Sequence, residues 1–146
     1  MRIRAAFLTL LGCIPSIVTP ARAQNAAKPP TVYFYRLRES YGAFLKPSVF
    51  ADKAQVARMR NGRFLLTTLE PGSHTITSTF TGNGLIVEMK PGETYYFRVE
   101  LTRPTMLHNA RGEVTLVTPE QGKFEVAQLK PAEAEDLKVD SDESKK

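Results

Sequence analysis

Two Pro-Gly corners limit the folds open to this chain more than any other feature. Pro71-Gly72 and Pro91-Gly92 stand twenty residues apart, and a run rich in β-branched and aromatic residues follows each of them. Proline presets φ for the first central position of a type II turn, and glycine takes the positive φ needed at the next. Both corners therefore predict a small β-sheet domain, and they carry no information about chemistry.

The N-terminus predicts export. Arg2 and Arg4 precede the apolar stretch 5–11, and residues 21–23 (Ala-Arg-Ala) form a small-x-small cleavage signal. This layout is typical of a secretory signal peptide over residues 1–23. We expect cleavage after Ala23 and a periplasmic or secreted product.

Cys13 offers a second route of export. Residues 10–13 (Leu-Leu-Gly-Cys) resemble a bacterial lipobox, in which Cys13 would be lipidated and would anchor the protein to a membrane. The residues after Cys13 are apolar, whereas a lipoprotein tether is usually polar. Cleavage after Ala23 is therefore the main prediction, and a lipoprotein anchored through Cys13 is the alternative.

Cysteine content and charge exclude several classes of site and partner. Cys13 is the only cysteine, so a chain that starts at Gln24 can form neither a disulfide nor a thiolate metal site. Loss of the three arginines of the leader lowers the formal net charge from +5 to +2. Such a mild charge on an exported protein argues against nucleic acid as the partner.

Composition divides the processed chain into three parts. Residues 24–30 form an Ala/Pro linker, and residues 31–130 are long enough for one domain. Residues 131–146 carry six acids and three lysines, with only Leu137 and Val139 as sizeable apolar side chains. This tail is predicted to be disordered, with a frayed helical stretch over residues 132–137.

The domain reads as successive strands separated by turns, without the rhythm of βαβ units. This pattern predicts an all-β fold, an antiparallel β-sandwich of about seven strands. Residues 118–121 (Thr-Pro-Glu-Gln) have the capping pattern of a helix start. A short C-terminal helix is therefore expected, with Phe124, Ala127 and Leu129 on one face and Gly122 weakening it.

Asn61-Gly62 predicts a β-hairpin, because both central positions of a type I′ turn need positive φ. The hairpin would pair residues 57–60 with residues 63–66 and place apolar side chains on one face. The other face would carry Arg58, Arg60 and Arg63, a candidate cationic binding surface.

Several motifs together resemble a known family. They are, in order, residues 33–36 (Tyr-Phe-Tyr-Arg), 48–52 (Ser-Val-Phe-Ala-Asp), 61–64 (Asn-Gly-Arg-Phe), 71–76 (Pro-Gly-Ser-His-Thr-Ile) and 91–96 (Pro-Gly-Glu-Thr-Tyr-Tyr). The chain resembles the DUF2846 family of bacterial envelope proteins over roughly residues 30 to 130. The residues that match the family's most specific motifs are Pro71, Gly72, His74, Pro91, Gly92, Tyr95 and Tyr96.

The resemblance implies an immunoglobulin- or transthyretin-like β-sandwich in an exported or lipid-anchored protein of unassigned function. PEGA and carboxypeptidase regulatory-like sandwiches use similar Pro-Gly entries into strands. The family brings no catalytic residues to transfer. One departure lies at residues 51–53 (Ala-Asp-Lys), where related sequences often carry Asp-Gly, so this corner must turn without glycine.

The candidate chemistry is sparse. His74 is expected at the edge of the core, bonded to a backbone carbonyl, and His108 is expected in an exposed polar loop. No cluster of His, Asp and Glu has the spacing of metal ligands, and no nucleophile elbow or phosphate loop is present. We expect no catalytic residue, metal or cofactor.

Two functions from different classes remain. The first is a non-enzymatic cell-envelope domain that binds a protein or organises the surface through sheet edges and loops. The alternative is a binding module for anionic glycan or lipid headgroups, acting through Arg58, Arg60 and Arg63. An enzyme is a distant third.

Overall fold

A computed structural model describes residues 28–79, 84–104, 106 and 111–137. Over these residues the elements in chain order are β1 (Thr31–Arg36), β2 (Ser48–Ala51), β3 (Ala54–Arg58), β4 (Arg63–Thr68), β5 (Gly72–Ser78), β6 (Leu85–Met89), β7 (Thr94–Thr102), β8 (Arg111–Val117), α1 (Pro119–Val126), β9 (Lys130–Pro131) and a 3-10 turn (Ala134–Leu137). The predicted signal peptide with Cys13, the first part of the linker, His108 and residues 138–146 lie outside the described residues.

The strands form two sheets. The first sheet has the order β8-β7-β1-β4-β9, and the second has the order β3-β2-β5-β6. Within the described residues the fold is mostly β with one short α-helix, in agreement with the predicted class, but it has nine strands rather than about seven. The chain crosses to the second sheet for β2 and β3, returns as β4, and crosses again for β5 and β6.

The prediction of a purely antiparallel fold was wrong. β1 pairs with β7 in parallel over Thr31 to Tyr35, and β9 also pairs in parallel with β4. Parallel neighbours need a long crossover connection rather than a hairpin. The chain makes that crossover through the second sheet, and local turn signals do not encode such distant pairings.

The main apolar core lies between the two sheets in a sandwich-like arrangement, and a smaller cluster that includes Tyr35, Tyr96 and Val126 lies under α1. Alternate residues of the strands point inward, and Met59 adds to them from the link between the sheets. The fully buried members include Val32, Phe34, Val49, Met59, Ile76, Phe97 and Val99. The rings of Phe34 and Phe97 stack with centroids 5.3 Å apart. Burial of one such side chain contributes roughly 1.5–3 kcal/mol, so packing is the main stabilising force.

The predicted Asn61-Gly62 hairpin was wrong. β3 and β4, on either side of it, belong to different sheets, and β4 pairs instead with β1. Gly62 has a φ of 72°, but Asn61 does not share a positive φ, which a type I′ turn requires. The Asn61 side chain accepts from the Glu39 amide at 2.9 Å and donates to the Glu39 carbonyl at 2.8 Å. Asn61 therefore fixes a crossing between the sheets rather than a hairpin.

The tight hairpin lies instead at Asp52-Lys53. These two residues have φ values of 50° and 72°, and Ala51 pairs with Ala54 across the turn. Asp52 exchanges hydrogen bonds with Thr75, whose amide donates to Oδ1 at 2.8 Å and whose carbonyl accepts from the Asp52 amide at 3.0 Å. The expectation of a corner without glycine is confirmed, and Asp52 is held there by the neighbouring strand.

The two Pro-Gly corners differ from each other. Gly92 has a φ of 75°, and the Glu93 amide donates to the Lys90 carbonyl at 3.3 Å, as in the predicted type II turn. Gly72 has a φ of 133° and already pairs with Met89 as the first residue of β5. The type II prediction is therefore wrong for the first corner, where the glycine begins the strand.

The helix begins as predicted but packs on a different face. The Thr118 hydroxyl accepts from the Gln121 amide at 3.4 Å, and Pro119 occupies the first turn. Phe124, expected to share a face with Ala127 and Leu129, is 71% exposed, whereas Gly122 and Val126 are buried against the outer face of the first sheet. A β-carbon on Gly122 would overlap the Tyr96 ring. Because Gly122 has no side chain, the helix can pack closely against the Tyr96 ring.

Part of the segment that was predicted to be disordered is ordered. Residues 131–137 were expected to be disordered or frayed, but Lys130–Pro131 pairs with β4 and Ala134–Leu137 forms the 3-10 turn. Ion pairs rather than apolar burial hold this segment, as described below. No helix among the described residues is long and apolar enough to cross a membrane.

Candidate binding surfaces

The outer strand of the second sheet presents an edge with which no other strand of the described residues pairs, and we call it the open edge. β6 pairs with β5 on one side and is the last strand of its sheet among the described residues. Val87 and Met89 point into the core, whereas Ile86 and Glu88 point outward, and Ile86 is 71% exposed. The sequence predicted this strand but not its position at an edge, because the order of strands depends on contacts between distant segments.

The other edge strands contact elements outside their own sheet or are short. The 3-10 turn packs against β3, and β8 packs against β5 of the opposite sheet. A β-carbon on Gly112 in β8 would come within 2.6 Å of the Thr79 carbonyl oxygen, which shows how closely the sheets approach there. β9 contributes two residues, of which Pro131 has no amide proton. Among the described elements, β5 is the one that packs extensively against β6, and the Tyr95 hydroxyl borders one end of the outer edge, where it donates to the Glu88 carbonyl at 3.3 Å.

The predicted arginine surface is divided between the two sheets. Arg58 ends β3 opposite Ser48, whereas Arg63 begins β4, and Arg60 lies on the link between these strands. Arg60 and Arg63 come together on the carboxylate of Glu133. Arg60 Nη1 lies 3.1 Å from Glu133 Oε2, and Arg63 Nη2 lies 2.5 Å from Glu133 Oε1. These two arginines therefore form a carboxylate-binding pair.

Further acids surround Arg60. Its Nη2 lies 3.5 Å from Glu135 Oε2, and its Nε lies 3.3 Å from Asp136 Oδ1. Lys46 Nζ lies 3.9 Å from Glu135 Oε1. We call Lys46, Arg60 and Arg63 the basic cradle, and residues 130–137 the acidic strap. Sequence reasoning missed these pairs, and the only signal for them was the segregation of acids at the C-terminal end.

Backbone hydrogen bonds also hold the strap. The Lys130 amide donates to the Gly62 carbonyl at 3.3 Å, and the Ala132 amide donates to the Phe64 carbonyl at 2.7 Å. Arg63 Nη1 donates to the Pro131 carbonyl at 3.1 Å. The strap therefore binds as a short added strand, and its acidic turn follows directly.

A second polar cluster fixes the helix to the first sheet. The Tyr35 hydroxyl donates to Glu125 Oε2 at 2.5 Å, while Arg98 Nη1 and Gln121 Nε2 donate to Glu125 Oε1 at 3.1 and 2.9 Å. Burial and the hydrogen bond to Glu125 raise the pKa of Tyr35. Burial opposes ionisation of Glu125, but the three donors outweigh it and lower the pKa of this carboxyl group. The cluster positions α1.

His74 links the first Pro-Gly corner to the Asp52 turn. Its Nδ1 lies 2.5 Å from Asp52 Oδ2, and its Nε2 lies 2.7 Å from the Glu70 carbonyl, which is the predicted bond to a backbone carbonyl. Burial works against the charged ring, but the bonds to Asp52 and Glu70 outweigh it and raise the pKa of His74. Both ring nitrogens face oxygen atoms, so His74 joins the two turns.

The remaining motif residues support turns and packing. The Tyr95 hydroxyl accepts from the Lys90 amide at 2.9 Å and donates to Glu93 at 2.8 Å, so it closes the turn around Pro91-Gly92. The Tyr96 ring stacks on Tyr33 at 4.8 Å beneath α1. Among the described residues no three His, Cys, Asp or Glu side chains are grouped as metal ligands.

Comparison with known families finds a match over residues 25–114 to the family described as protein of unknown function, DUF2846. The match covers more than half of the 146-residue chain and includes every strand from β1 to β7. It also contains Lys46, Arg60 and Arg63, but it ends before α1 and the strap. No curated protein and no solved structure matches the chain.

Proposed function

The chain belongs to the DUF2846 family, and on that premise we propose that it is an exported, non-enzymatic protein-binding domain of the cell envelope. The observation that carries this proposal is the open edge of β6, with Ile86 exposed beside it. We extend the proposal to the fold, as an immunoglobulin- or transthyretin-like arrangement of the two sheets.

An open edge binds extended peptides by strand addition. Main-chain hydrogen bonds supply affinity, and alternate side chains supply specificity. Natural proteins usually protect such edges with charges, proline, bulges or covering segments. β6 carries only Glu88 as an outward charge next to the apolar Ile86. β3 and β8 contact elements outside their own sheets, and this contrast supports a binding role for β6.

A non-enzymatic role is supported by how the titratable groups are engaged. Glu125 accepts from three donors, and both nitrogens of His74 face oxygen atoms. In a shallow cavity lined by Glu39, Ser40, Tyr41, Leu101 and Arg103, the Ser40 hydroxyl has no hydrogen-bonded base among the described residues. These groups support packing and turns.

Export is supported by the N-terminal pattern and by the composition of the processed chain. Without Cys13 the domain has no cysteine, so its closure depends on the core between the sheets. Cleavage after Ala23 gives a periplasmic or secreted domain, and lipidation at Cys13 gives a membrane-anchored one.

The alternative is an anionic glycan or lipid module that uses Arg58, Arg60 and Arg63. What supports it is that Arg60 and Arg63 bind a carboxylate jointly. What weakens it is that this carboxylate belongs to a segment that also pairs with β4 through main-chain hydrogen bonds, for which a glycan or a lipid headgroup has no equivalent.

Photo-crosslinking in intact cells tests the proposal. A photoreactive amino acid is placed at Ile86, and in a control protein it replaces Glu120, which is exposed on α1. We expect a discrete protein adduct from Ile86 that is absent from Glu120. Excess unlabelled wild-type protein should suppress the adduct, whereas excess Ile86→Lys protein should not. Equal labelling at both positions would contradict a binding role for the β6 edge.

A further inference from the structure

We propose that the basic cradle is a docking site for an acidic peptide segment of a partner protein, and that the acidic strap occupies this site as an internal competitor. The proposal deepens the protein-binding function, on which it rests, by naming the chemistry of a partner segment. It concerns a site separate from the β6 edge.

The side chains of the cradle select closely spaced carboxylates. Three nitrogens of Arg60 face three different acids, Glu133, Glu135 and Asp136, all within one turn of chain. Arg63 holds Glu133 from the other side. Paired guanidinium groups suit carboxylates because their planar donors match two oxygens at once. A ligand with several acids in four residues reproduces this arrangement.

The backbone contacts favour a peptide over a free anion or a headgroup. The amides of Lys130 and Ala132 donate to carbonyls beside Arg63, and the Pro131 carbonyl accepts from Arg63 itself. A glycan or a lipid headgroup offers no equivalent of this strand pairing. The observed occupant therefore shows the cradle's ligand chemistry, which is a short strand followed by an acidic turn.

The ion pairs of Glu133 and Glu135 in the strap are individually weak. The side chains of Glu133 and Glu135 are 49% and 68% exposed, and exposed ion pairs contribute only about 0.2–1 kcal/mol each. Leu137, the largest apolar residue of the strap, is itself exposed. Only Asp136 is buried, with 1% of its side chain accessible. Such a segment can be displaced by a ligand with more contacts.

The cradle and the strap lie in different regions of the sequence. Lys46, Arg60 and Arg63 lie inside the region that matches the family, whereas the strap begins after that region ends at residue 114. The strap is connected to α1 by residues 127–129 and so stays close to the cradle. A tethered competitor acts at an effective concentration in the millimolar range. A partner must therefore bind the cradle tightly enough, at its own concentration, to displace the strap.

The test is peptide binding to full-length protein, followed by fluorescence anisotropy. The probe is a labelled nonapeptide with the sequence of residues 129–137 (Leu-Lys-Pro-Ala-Glu-Ala-Glu-Asp-Leu). The strap variant combines Glu133→Gln, Glu135→Gln and Asp136→Asn, which removes the competing charges at nearly unchanged volume. We expect the probe to bind the strap variant at least about tenfold more tightly than the wild type, because the tethered competitor is lost.

Matched controls assign the binding to the cradle. Addition of Arg60→Gln and Arg63→Gln to the strap variant should abolish binding, whereas addition of Lys90→Gln, an exposed lysine in the β6–β7 turn, should not. A probe with glutamine and asparagine in place of its acids should not bind. Equal affinity for wild type and strap variant, or binding that survives loss of both arginines, would overturn the proposal. Phosphatidylglycerol vesicles that bind while the peptide does not would overturn it in favour of a lipid ligand.

A measurement on the wild type decides the question even if the variant fails to fold. Excess probe should speed hydrogen exchange at the Lys130 and Ala132 amides, because displacement of the strap exposes both. Unchanged exchange would count against the site. If the peptide binds but Ile86 gives no crosslinked adduct, the cradle stands as a docking site and the β6 edge is removed from the proposed function. If Ile86 gives an adduct but the peptide does not bind, the β6 edge stands and the cradle is refuted.

Discussion

At the level of single residues, Gly122 sets how closely α1 approaches the first sheet. A β-carbon there would overlap Tyr96, although alanine is intrinsically favoured over glycine in a helix by about 1 kcal/mol. We expect Gly122→Ala to destabilise the protein by about 1–3 kcal/mol, as overpacking usually does. Urea unfolding measures the change. Lys123→Ala, on the exposed side of the same turn, serves as the control and should leave stability nearly unchanged, and a stabilised Gly122→Ala would refute the close approach.

The Asp52–His74 pair makes stability depend on pH. Hydrogen bonds from the Thr75 amide and from His74 lower the pKa of Asp52. Burial lowers the pKa of His74, but the bonds of this ring to Asp52 and Glu70 outweigh burial and raise it. The histidine contribution is complete below its unfolded pKa of about 6.5 and is lost as pH rises through the higher folded pKa. The aspartate contribution is complete above about 3.9 and is lost as pH falls through the lower folded pKa.

Asp52→Asn tests this dependence, because asparagine keeps an acceptor for the Thr75 amide but removes the charge beside His74. The melting temperature of the wild type should exceed that of the variant most at mildly acidic pH. The difference should shrink as pH rises through the raised pKa of His74, where the ring loses its proton. A difference that grows above neutral pH would contradict a charged pair.

Asn61 shows why a strong local signal can give the wrong topology. Asn-Gly is compatible with a type I′ hairpin, but it also fits a link in which glycine alone has positive φ and asparagine bonds a distant backbone. The bonds of Asn61 to Glu39 span 22 residues. The sequence therefore predicts a turn at Asn61-Gly62, but it does not predict that the flanking strands lie in different sheets.

At the level of elements, the strap depends on Arg60. Asp136 is buried beside this arginine, and removal of one partner leaves a buried charge uncompensated. We expect Arg60→Gln to cost roughly 1–3 kcal/mol in urea unfolding. Asp136→Asn in the Arg60→Gln background should restore part of the loss, because it removes the orphaned charge. Additive effects in this double-mutant cycle would show that the two side chains are not coupled.

Strand positions were predictable from alternation and turn residues, but strand partners were not. β6 and β7 flank the predicted Pro91-Gly92 turn, yet β6 pairs with β5 and β7 pairs with β1 and β8. The helix start was predictable because its cap is local. Its buried face was not, because it depends on the contact between Gly122 and Tyr96. The acid partners of Arg60 lie more than 70 residues away, so no local pattern encodes them.

At the level of the whole molecule, two sheets with a common core account for stability without sulfur bridges. α1 packs on the outer face of the first sheet, and the strap pairs with β4 at one edge of that sheet. The second sheet ends at β6, whose outer edge is open. This distribution of covered and open edges is consistent with a domain that folds alone and binds a partner. Its place of action depends on export, on which the proposed function rests most heavily.

The mass of the protein recovered from cells tests export directly. We expect the intact mass to correspond to a chain that starts at Gln24 and to be found in the fraction released by osmotic shock or in the medium. A chain that starts at Cys13 and carries fatty acids in the membrane fraction would establish the lipoprotein alternative and would still be export. A chain that keeps residues 1–23 and remains in the cytosol would contradict the proposed function.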